Sequence, residues 1–282
     1  MREPNPVTAA ARASGEPTFR EVGLGPWSET HPGESRPDDA ASAGYDPRYD
    51  PALLDEGDRR NVLDRYRYWS VEAIKADLDA KGRHDFEVAV ENWTHDFNIG
   101  SMVRTANAFT ARRVHIVGPH KWNRKGALMT ELYQHVEHHP SIGELIEAWH
   151  HRIAGEIAAA RSQGAKAAFD AHRAATAGDT VALQRATAAV AAADARIGEL
   201  QDARVIALDI IPGAVPIETY RFPKRCLMLF GAEGPGLSQK ALELADDVVY
   251  ISQFGSVRSI NAGAAAAVAM HSWITQHARI PA

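Results

Sequence analysis

Residues 226–252 read CLMLFGAEGPGLSQKALELADDVVYIS: an apolar run, a glycine-rich turn, a helical stretch opened by Ser238 and a second β-branched run. Apolar residues in unbroken series, bounded by Gly or polar turns, fit a strand buried on both faces. SQKALELAD (238–246) begins with a natural N-cap and continues in good helix formers. The same pattern recurs upstream. FEVAVE (86–91), RVHIVG (113–118) and RVIALDI (204–210) read as further strands, and SMVRTANAF (101–109) as a helix with Met102, Ala106 and Phe109 on one face. A last helix runs from about Ala262 to His277. The alternation predicts an α/β domain with a mainly parallel sheet flanked by helices.

Other segments depart from this rhythm. Residues 1–50 are acidic and Pro-rich, with five Arg against nine Asp or Glu and no apolar periodicity. They are expected to form a disordered tail. Residues 51–83 are expected to be helical, through RRNVLDRYRYW (59–69) and then SVEAIKADLDAKG (70–82), with Ser70 as cap and Gly82 as stop. The domain proper is placed at 84–282. Within it, residues 152–204 contain 20 Ala in 53 positions, with a GDT break at 178–180 where Asp179 can cap a second helix. This is an Ala-rich helical hairpin with an exposed surface, or else a partner-binding arm.

Bulk properties narrow the function. The tail takes −4 of the net charge of −5, so the remainder is close to neutral and any nucleic-acid contact must rest on local basic clusters. A single cysteine, Cys226, excludes an intrachain disulfide and a Cys-type zinc site. No secretory signal or membrane-spanning run is apparent, so a cytoplasmic location is expected.

Three places concentrate polar and glycine residues where a strand gives way to a loop. The first, VENWTHDFNIGSMVRTANAF (90–109), holds Asn92, Asp96, Asn98 and Gly100 in a turn, with Arg104 early in the following helix. A capped helix start with a solvent-facing Arg would look the same. The second, GAEGPG (231–236), is spaced G-x-x-G-x-G and so matches neither the dinucleotide fingerprint nor a P-loop. Glu233 would repel a phosphate there and suits a hydroxyl- or amine-bearing ligand. The third is ISQFGSVRSINA (251–262), a Gly-containing loop that delivers Ser259 and Asn261 to a helix start. Asn261 alone could simply be an N-cap. Ligands of open α/β sheets collect at the carboxyl ends of strands, and all three motifs lie at such ends.

Taken together and in this order, the three motifs resemble those of the SpoU (TrmH-like) RNA ribose methyltransferases of the SPOUT class, over roughly residues 84–120 and 204–277. The resemblance implies a C-terminal trefoil knot, a homodimer, S-adenosylmethionine as cofactor, and methylation of a ribose 2′-hydroxyl of tRNA or rRNA. Asn98 and Arg104, Glu233, and Ser259 and Asn261 stand where the family keeps its catalytic motif residues. Gly231, Ile251 and Ile260, with Phe230 and Gly236 beside them, fall where main chain holds the cofactor. Two departures are that Thr110 follows Phe109 where Gly is usual, and that the Ala-rich segment is longer than the family connection.

Arg stays protonated, so Arg104 is expected to act as an electrostatic clamp on phosphate and developing alkoxide. HKWNRK (120–125) and RRNVLDRYRYW interleave basic residues with Trp122, Tyr66, Tyr68 and Trp69, a pattern suited to phosphate contact and base stacking, though a solvated loop and an ordinary helix would also fit. No metal is expected: His135, His138 and His139, or His150 and His151, read as surface histidines. A catalytically inactive RNA-binding protein of the same fold is the alternative, and a nucleotide-cofactor oxidoreductase is disfavoured by the glycine spacing. RNA is the expected partner, with neither membrane nor DNA.

Overall fold

The computed structural model describes residues 5–16, 22–93, 98–232 and 234–279. The chain divides into two compact units, Met1–Ile74 and Lys75–Ala282.

The first unit contains α1 (Pro6–Ala13), α2 (Trp27–Thr30), α3 (Pro51–Glu56) and the start of α4 (Val71–Lys81). Two sequence expectations are corrected here. Residues 22–50 are not a featureless tail. Leu24 and Asp58 exchange backbone hydrogen bonds of 2.9 Å, and Trp27 stacks on His31 at 3.7 Å. Residues 59–69 form no α-helix, only a 3₁₀ turn at Asp64–Tyr66. The reason is the fully buried Asp58, whose carboxylate accepts from the Tyr68 backbone N–H at 2.9 Å and from Arg60, competing with helical bonding. Tyr68 itself takes a positive φ of 61°. Tyr66, Tyr68 and Trp69 are buried in this unit's own core, so they are not the base-stacking platform the sequence suggested. The expected Ser70 cap is present, its hydroxyl accepting from Ala73 N–H at 3.1 Å, and Gly82 ends α4 at φ 87°.

The second unit is the α/β domain. Its strands are β1 (His84–Glu91), β2 (Ala111–Val117), β3 (Val136–His139), β4 (Arg204–Leu208), β5 (Val215–Pro216), β6 (Cys226–Phe230) and β7 (Asp247–Tyr250). They form one sheet in the order β3-β2-β1-β6-β4-β7-β5, with every pairing parallel. The helices are α5 (Ile99–Ala108), α6 (Ile142–Ala177), α7 (Thr180–Gln201), α8 (Gln239–Leu244) and α9 (Ala262–His277). All five strands read from the sequence are present. The two missed ones are short, and β3 reads VEHH, with no apolar run to mark it.

Alternate strand residues serve two cores. Val88, Val90, Met228 and Phe230 pack under α5 and α9 on one face. Ala89, Leu227 and Leu229 pack under α6, α8 and the end of α7 on the other. This two-sided burial is what the unbroken apolar runs require. Near β6 the sheet also buries charge: Glu87 and Arg225, both fully buried, meet at 2.6 Å.

The Ala-rich segment is a helical hairpin, starting ten residues earlier than expected because Ser141 caps α6 through Glu144 N–H at 3.2 Å. Asp179 caps α7 as anticipated, and Gly178 closes α6 in the left-handed conformation. Ala160, Ala167 and Ala174 face Ala186, Ala193 and Leu200, each series buried at intervals of seven. A seven-residue repeat of small residues is a coiled-coil seam that permits close approach. A Cβ on Gly164 would lie only 3.2 Å from that of Ala193.

Candidate functional site

The carboxyl ends of β4, β6 and β7 open into a cavity of about 480 Å³. At the end of β6, the chain doubles back on itself through Gly231–Gly236. Ala232 and Gly236 form an antiparallel bridge, and a Cβ at Gly231 would sit 2.0 Å from the Gly236 carbonyl carbon. Glycine is therefore obligatory at 231. Gly234 and Gly236 supply the positive φ angles, 98° and 75°. The turn is pinned from both sides. Asp209, at the end of β4, accepts from Leu237 N–H at 3.1 Å, while the buried Glu91 at the end of β1 accepts from the Ser238 N–H at 2.7 Å and its hydroxyl at 2.8 Å. Ser238 in turn caps α8 through Ala241 N–H at 3.2 Å.

The third motif forms the facing wall. From β7 the chain passes Ile251 and Gln253, whose buried side-chain oxygen has no hydrogen-bond donor among the described residues, and runs exposed to Asn261. Asn261 Oδ1 accepts from Ala264 N–H at 3.1 Å and so caps α9, as expected. Its amide also donates to Asn98 Oδ1 at 2.8 Å, across 163 residues of sequence. Gly263 lies under this contact. A Cβ there would meet Ser101 Oγ at 2.6 Å and the two Asn oxygens at 3.2 and 3.6 Å. Glycine at 263 thus lets α9 close onto the start of α5.

Phe230, Gly231, Gly236, Ile251 and Ile260, the positions matched to cofactor binding, all line the cavity. Ser259 and Asn261 line it as well. Asn98 does not, but is joined to it through Asn261. Arg104 stands exposed on α5, six residues beyond Asn98, and is not a cavity residue. Glu233 and Asp96 lie outside the described residues. Sequence reasoning passed over Asp209, Gln253 and Arg258, which also line the cavity. An acidic residue ending the apolar run RVIALD was a legible signal for the first. Trp122 of HKWNRK packs partly against the core, leaving Lys121, Arg124 and Lys125 exposed beside the start of α5.

The cavity's size is within the range of small-molecule sites. Its polar groups suit a ligand with an apolar body and hydrogen-bonding ends: exposed main chain where side chains are excluded, and two acceptors, the Asp209 carboxylate and the Gln253 carboxamide oxygen.

The model of the SpoU rRNA Methylase family matches residues 156–271, taking in the second and third motifs but not the first. A tRNA (guanosine(18)-2′-O)-methyltransferase of Saccharomyces cerevisiae is 41% identical over 58 residues, which are 21% of this chain and 4% of that protein. Among solved structures, the TrmH/SpoU tRNA modifying enzyme of A. aeolicus aligns with 73% of this chain and 81% of its own, at 14% identity and a TM-score of 0.50. The SpoU methyltransferase AviRb of Streptomyces viridochromogenes, solved with AdoMet, aligns at 22% identity with a TM-score of 0.49. That alignment covers 71% of this chain and 64% of AviRb. Residues 156–271, over which this chain is similar to the SpoU rRNA Methylase family, include every residue that lines the cavity.

Proposed function

We propose that the protein transfers a methyl group from S-adenosylmethionine to a ribose 2′-hydroxyl of tRNA or rRNA. The observation that carries this reading is the closure of the Asn98–Asn261 hydrogen bond beside a cavity built by the second and third motifs. Main chain at Phe230, Gly231, Gly236, Ile251 and Ile260 would hold the adenosine part of the cofactor, with Asp209 and Gln253 as hydrogen-bonding groups the motifs do not announce. When bound, the cofactor supplies an electrophilic methyl on a sulfonium.

The protein's own residues must then align the hydroxyl and manage its proton. Asn98, Glu233, Ser259 and Asn261 orient the sugar and the Arg104 guanidinium. Arg104 clamps the neighbouring phosphate and the developing alkoxide, because a guanidinium has no basic form at ordinary pH. These residues would hold the hydroxyl so that its proton could pass to a phosphate oxygen of the substrate while the bound cofactor supplied the methyl group. Lys121, Arg124 and Lys125 extend the cationic surface towards RNA. The same reading carries a homodimer, a C-terminal segment threaded into a trefoil knot, and a cytoplasmic location.

Mass spectrometry of nucleosides from a deletion strain tests the activity. Loss of one ribose methylation is expected; an unchanged nucleoside profile would favour an inactive RNA-binding protein. Arg104→Ala should abolish transfer while leaving cofactor binding near normal, and loss of both in a folded variant contradicts the clamp role.

A further inference from the structure

On the α6 side of the sheet, far along the strand order from the cavity, β2 and β3 bring together His115, Glu137 and His139. The sequence reading treated the β3 histidines as surface groups, for want of carboxylates at ligand spacing and of a nearby cysteine. Parallel pairing changes this. His115 lies opposite Glu137 in register, and Glu137 and His139, two residues apart in β3, share one face. His115 Nδ1 is 3.0 Å from His139 Nε2 and 3.5 Å from Glu137 Oε2, and the last two are 3.8 Å apart.

We propose that these three side chains form a binding site for a divalent transition-metal cation of the zinc class. A point equidistant from the three atoms lies about 2.0 Å from each, the bond length of zinc to imidazole and carboxylate. The outer shell is also in place. His115 Nε2 donates to Glu87 Oε2 at 2.7 Å, which leaves Nδ1 with its lone pair towards the centre, the carboxylate–histidine–metal arrangement. His115 is fully buried, whereas the side chains of His139 and Glu137 are 13% and 36% exposed, so a fourth position opens to water. Two imidazoles and one carboxylate favour zinc over magnesium or calcium. The site ties the edge strand β3 to β2.

One feature opposes the cation. Arg152 of α6 reaches Glu137 Oε2 and Glu87 Oε2, both at 3.0 Å, and Arg113 holds the other oxygen of Glu137 at 2.7 Å. These guanidiniums repel a second positive charge, which makes Arg152 the discriminating residue.

The test uses the full chain, stripped with a chelator and dialysed. Zn²⁺ is titrated by calorimetry and Co²⁺ by its visible absorption. One cation per chain is expected, with the absorption of a nitrogen-ligated, low-coordinate Co²⁺ and a rise in Tm. His139→Gln and Glu137→Gln should each weaken binding more than about tenfold, the scale on which even outer-shell changes act. Arg152→Gln should tighten it, and His138→Gln, an exposed neighbour, should leave it unchanged. Circular dichroism verifies that each variant folds, and the wild-type Co²⁺ spectrum tests the site without any variant. Absence of saturable binding by the wild type, binding unchanged by His139→Gln, or binding that requires Arg152 overturns the proposal.

Discussion

The contact between Asn98 and Asn261 is the single side-chain bond seen to join the first motif to the third among the described residues, and its removal has a calculable cost. Asn261→Ala deletes two interactions: the cap to Ala264 N–H at 3.1 Å and the donation to Asn98 at 2.8 Å. An N-cap is worth about 1 kcal/mol. A neutral, solvent-exposed hydrogen bond adds about 0.5–1 kcal/mol, the lower part of the usual range. The single substitution should therefore cost about 1.5–2 kcal/mol, and lower the melting temperature by roughly 3–8 °C for a domain of this size. Asn98→Ala should cost at least the shared bond. The pair is separated by a double-mutant cycle, which cancels whatever else each side chain does. Thermal and urea unfolding of the wild type, both single variants and the double variant should give a coupling of about 0.5–1 kcal/mol. Costs that add to within about 0.3 kcal/mol would show that the two side chains do not interact, and the convergence of the motifs would lose its support.

Three further outcomes follow from the packing. Gly231→Ala should eliminate S-adenosylmethionine binding in calorimetry while circular dichroism stays near the wild type, because its Cβ would collide with the Gly236 backbone at the cavity wall. Arg225→Met should destabilise the domain by about 3–5 kcal/mol in denaturant unfolding, as Glu87 is left buried with a cationic partner removed. Acid should act at the same place. Burial alone would raise the Glu87 carboxyl, but the hydrogen bond from His115 and the charges of Arg225 and Arg152 outweigh it and hold the group well below the usual carboxylate range. A depressed folded value means that the contribution is complete above about pH 5 and is lost as pH falls through the ordinary carboxylate value and below. Glu87→Gln should therefore flatten the acid limb of a stability-versus-pH curve.

The sequence by itself determined the elements that are buried on both faces or capped by a recognisable residue. β1, β2, β4, β6 and β7 are written as short, mostly apolar and β-branched runs, and α7, α8 and α9 begin at Asp179, Ser238 and Asn261, each of which caps in the structure. Phe230, Gly231, Gly236, Ile251 and Ile260, which line the cavity, were singled out through the resemblance of the motifs to a known family and not by a local feature of their own. Tertiary structure decided what depends on partners distant in the chain. Only the insertion of β6 between β1 and β4 sets Glu91 against Ser238 and Asp209 against Leu237, so the residues that pin the glycine turn carry no signal of their own. Residues 59–69 have helical composition, yet a buried carboxylate at Asp58 draws off their backbone bonds, and no local propensity records that competition. The heptad spacing of buried alanines in the hairpin was present in the sequence from the start. It became readable once antiparallel packing showed which alanines face each other, because a small residue marks a seam only when something lies across it.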